Sequence, residues 1–418
     1  MTMTMTRRSS CGLLLACSLA AARPGAAQDA AGPRTYDLTL EAALGLARTR
    51  SPLVRAARAR IGEAQGRLLG AEVFLPANPT LEVGSGRRFG PAQTSTDLDV
   101  GLGQMFELGG QRSARIAAAA AAVDRAVATV DDASRRSMGA VATAFLRARH
   151  AGERGRIALE MEGVAAELHG VARRRHEAGD VGLLDVNLAA LALARAQVEV
   201  RTVETAGRRA IGELRALLDL EPNSVVAVRG ELLDRRQRAL AQLQERASNR
   251  PDLRALDAAI RQTAAEVRLG QARAWPDLGL GLGYAREEDA DLLHGGVTLT
   301  LPLFNRGEGL QSTARARGRA ARIERETRAA AVDVEVQAAF DTYQRLLAAT
   351  ERFERSGLPL VEQSDMLARL AYEAGAMHLG ELLAVRRELV EARVTHADLL
   401  LNAALAAVEL EAAVGALR

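Results

Sequence analysis

The chain has 418 residues, enough for two or three ordinary domains, with 55 basic and 52 acidic residues and only 3% aromatics. Every basic residue is an arginine or histidine, and both cysteines, Cys11 and Cys17, lie near the N-terminus, so the rest of the chain has no disulfide or cysteine metal site. Beyond the first 28 residues there is no run of 18 apolar residues, which excludes a helical inner-membrane protein; any membrane crossing must be made by strands.

Residues 1–28 read as an export signal. Arg7 and Arg8 supply the positive end, Cys11 to Ala22 the apolar core, and Ala26-Ala27-Gln28 a small-residue cleavage region. Its removal takes Arg7, Arg8 and Arg23 from the 55 basic residues and no acids, leaving 52 against 52, so the formal +3 points to no nucleic-acid partner. Leu14-Leu15-Ala16-Cys17 also resembles a lipoprotein box, with Leu15 where a small residue is usual. Lipidation at Cys17 and cleavage near Ala27/Gln28 are therefore alternatives.

Residues 29–37 read as a short linker. Thr39 is placed as the N-cap of a helix with Glu41 in its first turn, and helical patterning runs to about Leu75, bent at Pro52. A β-hairpin is expected at about 79–106: Leu98, Val100 and Leu102 alternate with Asp97, Asp99, Gly101 and Gly103. Such alternation over about nine residues suits a membrane strand with one face to lipid and one to a lumen. Gly109-Gly110 then opens a proline-free helical stretch to His176, a rod of about 100 Å at 1.5 Å per residue. Arg173 to His176 suit a helix C-terminus, Gly179 is placed as its C′ residue, and Asp180 as the cap of a helix from about Leu183 to Leu218. The Val225–Val228 run reads as a short strand.

The second half follows the same order. Helices at 236–249 and 252–274 meet at Pro251, and a second hairpin is expected at about 276–304, where Leu278, Leu280, Leu282 and Tyr284 alternate with glycines. Pro276 lies 197 residues after Pro79, Phe304 lies 198 after Phe106, and Gly375 lies 196 after Gly179. A long helix is expected after Gly309, broken at Ser356–Pro359, with a second tip near Gly375 and a last helix over 379–416. Residues 29–218 and 236–418 thus read as two structural repeats joined by an equatorial segment, 219–235. Phe74, Phe89, Phe106, Trp275, Tyr284 and Phe304 fall at the edges of the strand segments, as aromatic girdles at two membrane interfaces would.

Four strands cannot close a membrane barrel, and an open edge is not tolerated in lipid. Two chains would give eight strands and three would give twelve. The inward positions are mostly Gly, Thr, Ser and Asp, which suit a bore wider than an eight-stranded barrel filled by its own side chains. The expected fold class is an α+β membrane protein: a trimeric, internally duplicated, 12-stranded β-barrel with four strands per chain, continued by long antiparallel α-helical rods.

This duplicated plan resembles the TolC-like outer membrane efflux proteins over essentially the whole chain after the signal. Phe106-Glu107-Leu108-Gly109-Gly110-Gln111-Arg112, with Asn78-Pro79-Thr80-Leu81-Glu82 before it, is similar to the branch serving heavy-metal cation pumps of the cobalt–zinc–cadmium type. The resemblance implies a homotrimeric duct with its barrel in the outer membrane and a helical tunnel through the periplasm. It also implies a periplasmic adaptor (membrane fusion) protein and an inner-membrane, proton-driven RND-type pump as partners. By the same resemblance Asp185, Tyr372 and Glu381 fall on the closed tip beside Gly179 and Gly375. Met377 and Ala384 stand where the family prototype carries an arginine and a further acid, so the latch is built differently here. Asp185 and Glu381 equally suit the positive end of a helix dipole.

No enzyme constellation is present. The six histidines (150, 169, 176, 294, 378 and 396) are scattered, without metal-ligand spacing, and Gly279–Gly283 alternates with leucines instead of opening a helix as a dinucleotide loop would. No catalytic residue, metal ligand or cofactor is expected. An efflux duct for cations, a drug-efflux or type I protein-secretion duct of the same fold, and a non-pore envelope coiled-coil protein are the function classes that remain.

Overall fold

The computed structural model describes residues 34–75, 77–89, 94–233, 235, 238–287 and 290–417. The expected export signal, with Cys17 and Ala27/Gln28, lies outside the described residues. Thr39 accepts the Ala42 N–H and starts α1 (Leu40–Arg50), and Pro52 occupies the first turn of α2 (Pro52–Glu72), where its missing N–H costs nothing. The 29–37 linker reading needs correction. Thr35–Leu38 is a strand, β1, paired in parallel with Val225–Val228, here β4. Four residues whose partner is 190 positions away carry no local periodicity.

The two hairpins form one antiparallel sheet. It comprises β2 (Thr80–Phe89), β3 (Thr94–Glu107), β5 (Asp277–Glu287) and β6 (Ala290–Thr300), in the spatial order β2-β3-β5-β6. β6 stops at Thr300, short of the expected Phe304, because Pro302 has no N–H for the ladder.

From the sheet hang the rods. α3 (Gln111–Glu177) has 67 residues, and α4 (Leu183–Leu218) folds back along it. α5 (Leu240–Ala247) and α6 (Pro251–Ala272) precede the second hairpin, and α6 packs between α3 and α7 (Glu308–Ser356). Gly357 separates α7 from α8 (Leu358–Glu373), and α9 (Leu379–Val414) returns against α7, α8 and α3. No described helix is long and apolar enough to cross a membrane.

The main core lies where α1, α3, α4, α7 and α9 meet the small β1–β4 sheet. Phe145, Leu146, Leu214, Leu218, Val336, Tyr343 and Leu410 are buried there. At its edge sits an ion network around Arg250, which is 1% exposed. The Arg250 guanidinium donates to the Ala413 carbonyl (2.8 Å), to Glu335 (2.9 Å) and to Asp252 (2.8 and 3.0 Å). Arg328 donates to the same Asp252 at 2.9 Å, and Arg135 to the Ala412 carbonyl at 3.3 Å. Cations thus meet the exposed carbonyls and negative dipole end of α9. Burial alone would raise the Asp252 carboxyl, but the hydrogen bonds from Arg250 and Arg328, with their charges, outweigh it and hold it at about 2.

Candidate functional site

The sheet has two chemically distinct faces, fixed by register. One cross-strand row is Leu81, Leu102, Leu282 and Gly295; the next but one is Val83, Val100, Tyr284 and Leu293. Leu278, Leu280, Val297 and Leu299 continue this apolar face, and most of it is exposed. The opposite face carries the row Glu82, Gly101, Gly283 and His294, then Gly84, Asp99, Ala285 and Leu292. An apolar outer band against a polar inner one is the arrangement of a strand between lipid and water. A soluble monomer rarely leaves so large an apolar patch uncovered.

The six aromatics sort to the two ends of the sheet. Phe74, Trp275 and Phe304 lie just outside the strands at the helical end, 73%, 62% and 100% exposed, and half-buried Phe106 joins them near the end of β3. Phe89 closes β2 at the far end, and Tyr284 sits toward the β5–β6 turn, its hydroxyl donating to Asp291 at 2.6 Å. Phe89, Phe106 and Tyr284 share the apolar face by register. The Arg112 guanidinium lies 5.9 Å from the Phe74 ring centroid. Gly109 lies under Trp275, where an added Cβ would stand 2.1 Å from the indole's own Cβ.

At the other end of the rods two turns are built alike. Gly179 has φ +83° and Gly375 φ +74°. The Asp180 N–H reaches back to the Arg175 carbonyl and the Ala376 N–H to the Ala371 carbonyl, which closes a helix through a left-handed C′ residue. Asp180, expected as a cap, is not one: Gly182 holds the N-cap of α4 without a side-chain bond. Asp185 and Glu381 are each the third residue of their helix. Glu381 accepts the His378 N–H at 3.0 Å while the His378 side chain accepts the Glu381 N–H, a reciprocal cap. Histidine at the position usual for Ser or Thr hid this cap from the sequence.

Tyr372 ties the two turns together. It packs on Ala172, Ala189 and Leu379, and the Arg175 guanidinium of α3 lies 5.9 Å from its ring centroid. Asp185 and Glu381 each stand in the first turn of their own helix, α4 and α9. Among the described residues no group of three His, Cys, Asp or Glu side chains is placed to hold a metal ion.

Comparison with known proteins matches the outer membrane efflux protein family model over residues 43–219 and again over 242–416. The cobalt-zinc-cadmium resistance protein CzcC of Cupriavidus metallidurans is 28% identical over 376 residues, covering 89% of this chain and 88% of its own. The pyoverdine export outer membrane protein OpmQ of Pseudomonas putida is 27% identical over 416 residues, covering 90% and 85%. Among solved structures, the CmeC outer membrane channel of Campylobacter jejuni superposes with a TM-score of 0.77 at 15% identity, covering 90% of this chain and 85% of that one. The chain belongs to the outer membrane efflux protein family: it is a passive efflux channel of the outer membrane whose helical rods extend into the periplasm.

Proposed function

We propose that three copies of this chain close a single duct and that the duct carries heavy-metal cations delivered by an inner-membrane pump. The observation that carries this reading is the four-stranded sheet with one apolar face and two open edges, β2 and β6. Because neighbours in the order β2-β3-β5-β6 are antiparallel, the two edges run in opposite directions and can pair head to tail between copies. Lipid leaves no water to satisfy an open edge, so pairing must continue until the ring closes. Three chains give a twelve-stranded barrel, four strands from each. The two matched segments support an internal duplication, with repeats at 29–218 and 236–418 around the equatorial segment 219–235; in this reading an export signal over 1–28 precedes them.

The cargo reading rests on the relative named for cobalt, zinc and cadmium resistance and on the acidic inner face, with Glu82, Asp97 and Asp99. A periplasmic adaptor protein and an RND-type pump complete the system, and the energy comes from the pump. In this reading Asp185, Tyr372 and Glu381 with Gly179 and Gly375 form the periplasmic aperture, and the six aromatics are the membrane girdles. A siderophore-export reading is the second one, favoured by the comparably identical pyoverdine exporter.

A deletion strain exposed to zinc, cobalt, cadmium, nickel, copper, silver and unrelated antibiotics tests the cargo. Selective metal sensitivity restored by the wild-type copy supports cation efflux. Sensitivity to antibiotics alone overturns it, and retention of siderophore inside iron-starved cells transfers the assignment to the second reading.

A further inference from the structure

Two histidines that the rest of the function leaves unused each meet a carboxylate, and one member of each pair lies on the same turn of α9. His396 Nε2 lies 3.1 Å from Glu354 Oε1 of α7, and its ring stacks on Phe353 with centroids 6.1 Å apart. His150 Nε2 of α3 lies 2.8 Å from Asp398 Oδ1. Residues 396 and 398 are about 200° apart around a helix, so α9 is held from opposite sides, by α7 and by α3, at one level. Glu354 stands three residues before Gly357, where α7 ends and α8 begins. A cavity of about 710 Å³, lined by Leu358, Val361 and Glu362 of α8, lies beside His396.

We infer that these two pairs form a proton-sensitive clasp that sets how freely α8 and α9 swing about the break at Gly357. A neutral imidazole carrying its hydrogen on Nε2 already donates to the carboxylate; protonation turns each bond into a charge-assisted one. Histidine is the side chain whose charge changes between pH 5 and 8, so acid tightens the clasp and alkali loosens it. Around His396 stand Glu153, Arg149 and Arg156 of α3, Arg393 of α9, Glu362 of α8, and Glu231 and Arg235 of the equatorial segment. Arg235 grips Glu354 with two bonds of 2.7 and 2.8 Å, and together with His396 it keeps that carboxyl below its ordinary range, ionised throughout the histidine window. Beside His150, Arg154 of α3 reaches Asp398 at 3.5 Å and Glu199 of α4 at 3.1 Å.

The inference rests on the duct reading only for its consequence, an aperture harder to open in acid. Hydrogen exchange on the full-length protein in detergent tests it without requiring conduction. After correction for intrinsic rates, amides of residues 350–400 should be on the order of tenfold better protected at pH 5.5 than at pH 7.5, because a hydrogen bond between charged partners is the stronger one. In a His150→Gln, His396→Gln double variant that ratio should fall to about one. An unchanged ratio in the variant, or no ratio in the wild type, overturns the clasp. Should the double variant fail to fold, Asp398→Asn, which leaves both histidines in place, must reduce the ratio, and an undiminished ratio overturns the clasp equally. A pH response in a protein that never conducts would instead count against the duct, so the two failures are distinguishable.

Discussion

Arg250 shows how much one buried side chain can decide. Its guanidinium satisfies Asp252, Glu335 and the Ala413 carbonyl together; in Arg250→Ala, Arg328 would still hold both carboxylates, but the Ala413 carbonyl at the end of α9 would lose its donor. The expected cost is about 1–3 kcal/mol, read as a lowered denaturant midpoint. The Asp252 carboxyl drops from an ordinary 3.8 to about 2 on folding. A lowered folded pKa stabilises above the unfolded value, so about 2 kcal/mol is fully present above pH 4 and is lost as pH falls toward 2. Asp252→Asn should flatten acid unfolding in that window. Gly179 and Gly375 contrast with Gly109: a Cβ at either turn meets nothing within 4 Å, and only the positive φ resists it. Gly375→Ala should therefore cost about 1–2 kcal/mol through backbone strain alone. Gly109→Ala has no such limit, because Trp275 fills the space. The tip glycines were legible in the sequence, since each follows a helical run that must stop. The Arg250 network was not, because its members come from α3, α6, α7 and α9.

The sheet argues at the scale of an element. Register puts Leu282 on the apolar face and its neighbour Gly283 on the polar one. Leu282→Arg should cost about 2–4 kcal/mol at mid-membrane depth and reduce the folded, heat-modifiable band on gels. Asp99→Asn, on the polar face, should leave folding unchanged and alter the cation preference of single channels. Equal assembly of both variants would overturn the assignment of faces. The period-two pattern read these faces correctly because each strand reports its own alternation. It could not supply the pairing of β3 with β5, which joins residues 170 to 188 positions apart, or detect β1.

For the whole molecule the prediction concerns closure. Single-cysteine pairs placed along β2 and β6 should crosslink copies into a ladder that ends at three bands. A ladder ending at two would mean an eight-stranded barrel. Higher species without limit would mean open edges, contrary to a closed duct.

The strand faces, the long rods, the two glycine turns and the family were legible along the chain, because each rests on periodicity, chain length or residues adjacent in sequence. The order β2-β3-β5-β6, the capping of Glu381 by His378, the Arg175–Tyr372 contact and the two histidine–carboxylate pairs emerge only in the folded chain. His150 and Asp398 are 248 residues apart, and nothing in the spacing of six scattered histidines foretells their meeting. The physical reason is that periodicity reports which side of an element is apolar, whereas the partner across the interface is chosen by how the elements pack.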